Sequence, residues 1–521
     1  MNDSASESSQ RVRAVGRDPQ GRLAAAGAVP EGSHIQPKAE PGGDRKVDNP
    51  SDQEVALVVD LDGTLTSTDL LLESLFVLAK NKPLRLLQVP LWLLHGLAPL
   101  KQRLSKEAVP DVRTLPYDQE LLSYLESQKR AGRLLVLATG TDKELALQVA
   151  EHLGLFDAVF ASDGITNLTG TKKRDRLVAE FGTGGFDYAG NSHRDRDVWA
   201  SARTAILVRP SARLLRAEKK KNKVSRVFES KAPTADVYWG ALRVSHWVKN
   251  ALVFLPLIAA HRLYDAEALG QALIAFFSFS LCASSIYLLN DLVDLSEDRR
   301  HPNKKQRMLA SGRLSARQAI GLMLCLLFGA FALSFALPLD FRTVLGAYCL
   351  LMVAYCLGLR DLAILDIATL AVGYTLRMVA GAAAAGLAAS SWLLVFCILF
   401  FAGLALLKRY AELVAMHRSK GSEARVHAYL VRDRGRLVYC GFSTSCLAVA
   451  VLAFHFGLDG RLHGRQDALW AVFILLLYWV THMWGMARRG QINADPVAFA
   501  LTDQASRIVG ILIAIALLVA T

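Results

Sequence analysis

From Trp247 onward the chain is a succession of apolar runs, at about residues 247–260, 270–290, 318–338, 343–358, 364–386, 391–407, 437–456, 468–486 and 505–520. Roughly 20 apolar residues in a helix cross the hydrocarbon of a bilayer, and only a helix satisfies its own backbone there. These segments predict an all-α polytopic bundle of nine transmembrane helices. The loops sort by charge: residues 291–317 carry seven Lys/Arg and 408–436 carry eight, whereas "LAASS" (387–391) carries none. The positive-inside rule places the basic loops in the cytoplasm. The N-terminal side of the first helix, preceded by "EKKKNKVSR", is then cytoplasmic and nine crossings leave the C-terminus outside. No apolar stretch follows the first basic residues, so no signal peptide is expected.

Charge and cysteine usage narrow the classes further. The formal net charge of +13 reads as a cytoplasmic collar facing the bilayer, suited to anionic lipid and phosphorylated substrates; nucleic acid is not needed to explain it. Seven cysteines, all in the apolar half, show neither CxxC nor metal-ligand spacing. They read as buried small apolar residues.

The N-terminal half differs. Residues 1–53, rich in Ser, Gly, Pro and charge, read as disordered. At 54–64, "EVALVVDLDGT" is a short apolar run that empties into two aspartates and a glycine. "RLLVLATGTD" ends in the same way beyond Thr139, and "FDYAGNSHRD" ends in Asn191 and Asp195. With helical segments between them, these runs predict a doubly wound α/β sheet with its site at the carboxyl edge, over 54–210. The chemistry fits phosphoryl transfer through a carboxylate nucleophile. Asp60 would attack phosphorus, and Asp62 would protonate the leaving oxygen and then deprotonate water. Thr139 would hold a phosphoryl oxygen and Lys173 would neutralise charge. Asn191 and Asp195 would complete a Mg²⁺ site with Asp60 and Asp62.

A helical cap is expected at about 70–130, and a basic linker at 211–240 before the membrane domain of 241–521. Within the cap, "PLRLLQVPLWLLHGLAPLKQRL" (83–104) is too broken by proline to span a bilayer. It either lies on the membrane surface or is buried on its own domain.

The second chemical focus is "NDLVDLSEDRR" (290–300), which follows an apolar run. On a continuous helix Asn290, Asp294 and Asp298 stack at successive turns with Asp291 beside them. Like charges at this spacing repel, and the C-terminal end of a helix disfavours anions. A divalent cation would offset both penalties; the plain alternative is a solvated acidic loop beside Arg299 and Arg300. Lys249, Lys304, Arg307, Arg360 and Arg377 lie at the cytoplasmic ends of the same segments. Charges of both signs there suggest Mg²⁺ plus phosphates.

Two resemblances sharpen this reading. "DLDGTLTSTD", "LATGTD", "NLTGTKKRDRLVAEFG" and "AGNSHRDRDVW" resemble, in order, the four motifs of the haloacid dehalogenase superfamily, most nearly its phosphoserine-phosphatase-like branch. Asn191 stands where an aspartate is commoner; its amide oxygen still ligates, with one charge less. "NDLVDLSED" and the segments around it resemble the UbiA superfamily of intramembrane prenyltransferases, whose signature falls here on Asn290, Asp291, Asp294 and Asp298. "WVKN", "DRRHPNKK", "LAILDIATLAVGYTLRMVAGA", "KRYAELV" and "GQINADPVAFALTD" are similar to its decaprenyl-phosphate phosphoribosyltransferase branch.

That resemblance implies transfer of phosphoribose from phosphoribosyl pyrophosphate to a polyprenyl phosphate, with Mg²⁺ held by Asp291, Asp294 and Asp298. Lys249, Lys304 and Arg307, with Arg377, would bind donor oxygens, and His301 beside Pro302 is a further phosphate candidate. Arg360 would hold the lipid phosphate, and Asp366 would complete the metal site or position a ribose hydroxyl. Arg360 replaces a usual lysine, and Arg307-Met308 replaces a usual Arg-Pro. The other readings weighed are transfer of a prenyl chain to an aromatic acceptor, which the single clear second-motif acid Asp366 weakens, and a transporter or scaffold governed by the soluble domain.

The loop charges generate a topology test. A cysteine introduced at Ser390 should react with an impermeant thiol reagent from outside the cell, and one at Ser419 should not. The reverse pattern would invert the orientation.

Overall fold

The computed structural model describes residues 55–229, 234–301, 304–388, 390–420, 425–426, 428–458, 466–492 and 495–520; residues 1–53, expected to be disordered, lie outside the described residues. The chain divides into two compact units. One comprises residues up to 232 with 296–306 and 310–316, and the other holds the rest.

The first unit is built on six parallel strands: β1 (Ala56–Val59), β2 (Leu135–Asp142), β3 (Ala158–Ser162), β4 (Phe186–Gly190), β5 (Ala205–Val208) and β6 (Val224–Phe228), in the order β3-β2-β1-β4-β5-β6. β1, the run "ALVV", is buried throughout, as expected for a strand covered on both faces. Its residues alternate between two cores. Leu57 and Val59 join Leu135 and Leu137 on one face, and Ala56 and Val58 join Val136, Phe186 and Tyr188 on the other. Strand order reverses between β1 and β4, which opens a crevice beyond their carboxyl ends.

Among the described residues up to 181 there are six α-helices: α1 (Leu70–Asn81), α2 (Val89–Leu94), α3 (Leu97–Glu107), α4 (Gln119–Arg130), α5 (Lys143–Leu153) and α6 (Thr171–Phe181). The cap expected at about 70–130 corresponds to α1–α3, with a small core of Leu78, Trp92, Leu100 and Leu104; α4 packs its Leu121 and Leu125 into the sheet's core. The stretch read as a basic linker is instead ordered up to Phe228. It holds α7 (Ala212–Lys221) and the edge strand β6. The basic run occupies the last turn of α7, where cations face the helix C-terminus favourably.

The second unit is helical. α8 (Ala266–Val293), α9 (Ala316–Ser334), α10 (Leu339–Leu357), α11 (Ala363–Ala384), α12 (Ser391–Lys420), α13 (Arg434–Leu458) and α14 (Gln466–Arg488) are followed by α15 (Pro496–Thr502) and α16 (Gln504–Ala520). Among the described residues seven helices are long and apolar enough to cross a membrane, or eight if α15 and α16, bent by 85°, form one span. The described residues therefore support seven or eight spans, and the expected count of nine is not confirmed. The first expected span is a 3₁₀ helix, Val244–Phe254, joined to a short α-helix, Leu255–Ala259. Its polar Lys249 and Asn250 are buried against other helices. It can approach α11 because residue 381 is glycine: a Cβ there would lie 1.9 Å from the Val253 carbonyl oxygen. The last expected span, about 505–520, corresponds to α16, which α15 precedes across the break at Asp503.

A stability prediction follows from β4. Buried Asp187 accepts from Arg203 at 3.0 and 2.7 Å and also from buried Arg133. Burial works to raise its pKa, but the two guanidiniums outweigh it and hold the carboxyl below the usual range. Asp187→Ala should destabilise the unit by about 3 kcal/mol, since it removes the carboxylate that balances two guanidinium charges, one of them buried. In the wild type this contribution is complete above about pH 4 and is lost as pH falls through the lowered value. Thermal denaturation of the full chain as a function of pH checks both. An unchanged transition in the variant would contradict the assignment.

Candidate functional sites

In the first unit the chemistry gathers where β1, β2 and β4 end. Asp60 is buried at the end of β1. It accepts from the Lys173 ammonium at 2.7 Å and from the Thr64 hydroxyl at 3.1 Å. Lys173, near the start of α6, also donates to the Tyr188 hydroxyl at 2.9 Å, which in turn donates to Asp195 at 2.8 Å. Burial pushes the Asp60 carboxyl up to about 7, with Asp195 adding to the rise and Lys173 opposing it. Burial works against the charge of Lys173, but Asp60 and Asp195 hold its pKa above the usual lysine range.

Asp62 is fixed by the Leu70 N–H at 2.9 Å and the Thr141 hydroxyl at 2.6 Å. Burial raises its pKa, and Asp69 adds to this. Asn191 follows β4 and lies against the Asp60–Gly63 turn. A Cβ on Gly63 would fall 2.1 Å from the Asn191 amide nitrogen, and Gly63 has φ +77°. Only glycine fits there.

Of the residues expected here, Asp60, Asp62, Lys173, Asn191 and Asp195 share one crevice. Thr139 is fully buried on β2, and its hydroxyl accepts from the Thr141 N–H at 3.0 Å. Sequence reasoning missed three neighbours. Tyr188 links Lys173 to Asp195, and Thr141 holds Asp62. Lys101 of α3 donates to the Gly140 carbonyl at 2.5 Å and to Asn167 at 3.0 Å. Burial lowers the pKa of Lys101, although Asp62 and Asp69 pull it up. The oxygen donors of Asp60, Asp62, Asn191 and Asp195, around a turn with no side chain at residue 63, fit a hard cation such as Mg²⁺.

In the second unit, α8 ends within the acidic motif with Asp294 as its C-cap; a separate short helix, Leu295–Arg300, carries Asp298, which the division of the chain assigns to the first unit. The single continuous helical face expected to hold all four residues is thus broken after Asp294, where repulsion and the helix dipole both act. Asn290 and Asp294 remain one turn apart on a shared face, with an amide donation of 3.2 Å between them. Arg360, from the short turn Leu359–Asp361 between α10 and α11, grips Asp294 at 2.5 and 2.6 Å and Asn290 at 3.0 Å. The buried Arg360 Nε has no hydrogen-bond partner among the described residues. Asp291 accepts from Arg243 at 2.5 Å and from Arg307 at 3.1 Å. Asp298 is buried, 3.9 Å from the Lys304 ammonium.

The remaining expected residues have partners of their own. Arg377, buried in α11, donates to Asn250 at 2.8 Å, the Tyr348 hydroxyl at 2.8 Å and the Gly373 carbonyl at 2.5 Å, all uncharged acceptors. Lys249 is paired with Asp495, a residue sequence reasoning passed over although it lies in a quoted motif. Asp366 is not gathered with Asp291 and Asp294. Both its oxygens are taken by Arg409, at 2.5 and 2.6 Å, and the Tyr355 hydroxyl adds a bond of 3.0 Å. His301 accepts from the Lys304 N–H at 3.3 Å, and Pro302 lies outside the described residues. Among the described residues no three His, Cys, Asp or Glu side chains are already gathered at metal-ligand spacing, because the carboxylates are turned onto guanidiniums. The donor set itself, all carboxylate and amide oxygen, has the chemistry Mg²⁺ requires.

The comparisons agree with both halves. The UbiA prenyltransferase family matches residues 251–516, and the haloacid dehalogenase-like hydrolase family matches residues 57–197. The chain belongs to the UbiA prenyltransferase family and carries a haloacid dehalogenase-like domain ahead of its membrane domain. It is an integral, multi-pass membrane protein.

Among its relatives is the uncharacterized protein y4nM of Sinorhizobium fredii, 32% identical over 477 residues, covering 90% of this chain and 92% of that one. A decaprenyl-phosphate phosphoribosyltransferase of Mycolicibacterium smegmatis is 31% identical over 281 residues, covering 51% of this chain and 87% of that one. A UbiA homolog from Archaeoglobus fulgidus, bound to GPP and Mg²⁺, has a TM-score of 0.42 at 18% identity, covering 55% of this chain and 98% of that one.

Proposed function

We propose that the membrane domain transfers 5-phosphoribose from phosphoribosyl pyrophosphate to a polyprenyl phosphate and releases diphosphate. The observation that carries this reading is the clustering of Asn290, Asp291 and Asp294 with Arg243, Arg307 and Arg360 at the end of α8. Carboxylates alone would suit a cation and guanidiniums alone an anion; interleaved, they suit a metal-bound diphosphate. The likeness to the mycobacterial phosphoribosyltransferase supports the choice of donor and acceptor.

In this reading Asp291, Asp294 and Asp298 hold Mg²⁺, which when bound would neutralise charge developing on the leaving diphosphate. Arg307, Lys304 and Lys249 take further donor oxygens. Arg377, whose present partners are uncharged, has its charge to offer to an anion. Arg360 turns its guanidinium to the lipid phosphate, whose oxygen attacks the anomeric carbon as the bond to diphosphate breaks. Asp366 acts through Arg409 as a positioning residue. The basic loops and the whole haloacid dehalogenase-like domain face the cytoplasm, where a soluble sugar donor is available.

The fused domain is a phosphatase in this proposal, acting on the 5-phosphate of the lipid-linked product. Asp60 attacks phosphorus, and Asp62, held in place by Thr141 and Leu70, gives its proton to the leaving ribose oxygen. Asp62 then takes a proton from the water that hydrolyses the aspartyl phosphate. Lys173 and Thr139 balance and hold phosphoryl oxygens, and Asp60, Asp62, Asn191 and Asp195 are the Mg²⁺ set. Tethering to the membrane domain gives an effective concentration of roughly millimolar order toward a product confined to the same bilayer.

Two variants assayed with one labelled donor test both steps. Asp60→Asn should still make lipid-linked sugar and should accumulate its phosphorylated form. Asp291→Asn should make neither form. A product ratio in Asp60→Asn equal to the wild-type ratio would show that the fused domain acts on another phosphate.

A further inference from the structure

The cap carries a surface that neither proposed activity uses. From Pro83 to Trp92 the chain is helical, first 3₁₀ and then α2. Its inward positions recur every third residue: Leu86, Val89 and Trp92 pack with Leu78, Leu100 and Leu104. The opposite face is also apolar. Leu84, Leu87 and Leu94 are 81%, 76% and 83% exposed, and Leu91, Leu93 and Leu97 join them. Pro83, Pro90, Gly96 and Pro99 divide the stretch into short pieces, so neither face can be hidden by lengthening one helix. A soluble domain rarely leaves so many large aliphatic side chains together in water.

Charge distinguishes among the surfaces that could cover this face. Between residues 82 and 106 there are five Lys/Arg and no Asp or Glu. Lys82, Arg85, Arg103 and Lys106 are exposed; Glu107, the next residue, pairs with Arg85 and lies 3.9 Å from the Lys82 ammonium, so the rim is net positive without being purely basic. An aliphatic face rimmed by cations matches the interface of an anionic bilayer, with leucines at the acyl boundary and cations among the headgroups. A second copy of the chain would oppose one basic rim to another. The second unit of the same chain spans a membrane, so lipid is within reach at high local concentration.

We propose that the Leu84–Leu97 face of the cap docks on the bilayer surface and presents the crevice of the first unit to phosphate esters carried on lipid. Lys101 connects the two features. It lies on α3, directly after the docking segment, and donates to the Gly140 carbonyl beside Asp62's partner Thr141. Docking is a property of the face itself; the delivery of substrate rests on the phosphatase reading.

The test uses the full chain in nanodiscs containing anionic lipid, with its seven cysteines replaced and one environment-sensitive fluorophore attached. At Leu94→Cys the emission should be blue-shifted. It should also be quenched several-fold more by nitroxide-bearing lipids than at Ser123→Cys on α4. Water-like emission at both positions would overturn the proposal, as would a shift that grows with protein density and ignores the nitroxide lipid, the mark of a second copy. In a second arm, Leu84→Glu, Leu87→Glu and Leu94→Glu together should lower hydrolysis of a lipid-borne phosphate monoester about tenfold while sparing p-nitrophenyl phosphate. Equal hydrolysis of the lipid ester by both proteins would overturn delivery. A wild type that hydrolyses neither ester would end the phosphatase reading and leave the fluorescence result to decide docking.

Discussion

The ion pairs at the end of α8 set the terms for the membrane domain. Two aspartates at a helix C-terminus oppose the helix dipole and each other. Taken from water without partners, they would favour the unfolded chain or a protonated state. Arg243, Arg307 and Arg360 resolve this, and each comes from a different segment: the residue before the 3₁₀ helix Val244–Phe254, the stretch after the acidic motif, and the turn between α10 and α11. Satisfying these carboxylates therefore fixes the ends of several elements at once. Removing Asp294 would take the carboxylate from the buried Arg360, a change costing about 3–5 kcal/mol in comparable pairs. The same interleaving of charge that holds the fold suits the cluster to a diphosphate and its metal.

The soluble unit rests on a different constraint. A parallel sheet buried on both faces exposes useful backbone and side chains only at strand ends, and the reversal of order between β1 and β4 concentrates them in one crevice. Asp60, Asp62, Asn191 and Asp195 follow β1 and β4, and Lys173 enters from α6. Gly63 admits Asn191 to the turn because no Cβ stands in its way.

This division explains what the sequence made legible. Residues fixed by a strand end or by a short spacing, such as Asp60, Asp62 and Asp195, were readable directly, as was the parallel sheet around them. Lys173, Asn290, Asp291 and Asp294 were readable for the same reason. Residues whose role depends on a distant partner were not. Tyr188 looks like a core residue of β4 until Lys173 and Asp195 meet its hydroxyl. Lys101 looks like a surface cation until the cap folds. Asp366 looked like a residue that completes the metal site or positions a ribose hydroxyl, and only the packing of α11 with α12 gives its oxygens to Arg409. Hydropathy reads the first expected span from its apolar residues alone, without regard to Lys249 and Asn250, which are buried in a short 3₁₀ and α-helical segment. The break after Asp294 was likewise invisible to helical periodicity, which assumes that a helix continues.

Transfer followed by dephosphorylation has a fixed phosphate balance, and measuring it tests the account most directly. The full chain in nanodiscs would be given polyprenyl phosphate, phosphoribosyl pyrophosphate and Mg²⁺, and diphosphate and orthophosphate would be quantified against lipid-linked sugar in one reaction. The account predicts one diphosphate and one orthophosphate for each lipid-linked ribose formed. Consumption of the donor without lipid-linked sugar, or diphosphate released only when a prenyl diphosphate and an aromatic acceptor are supplied, would contradict it.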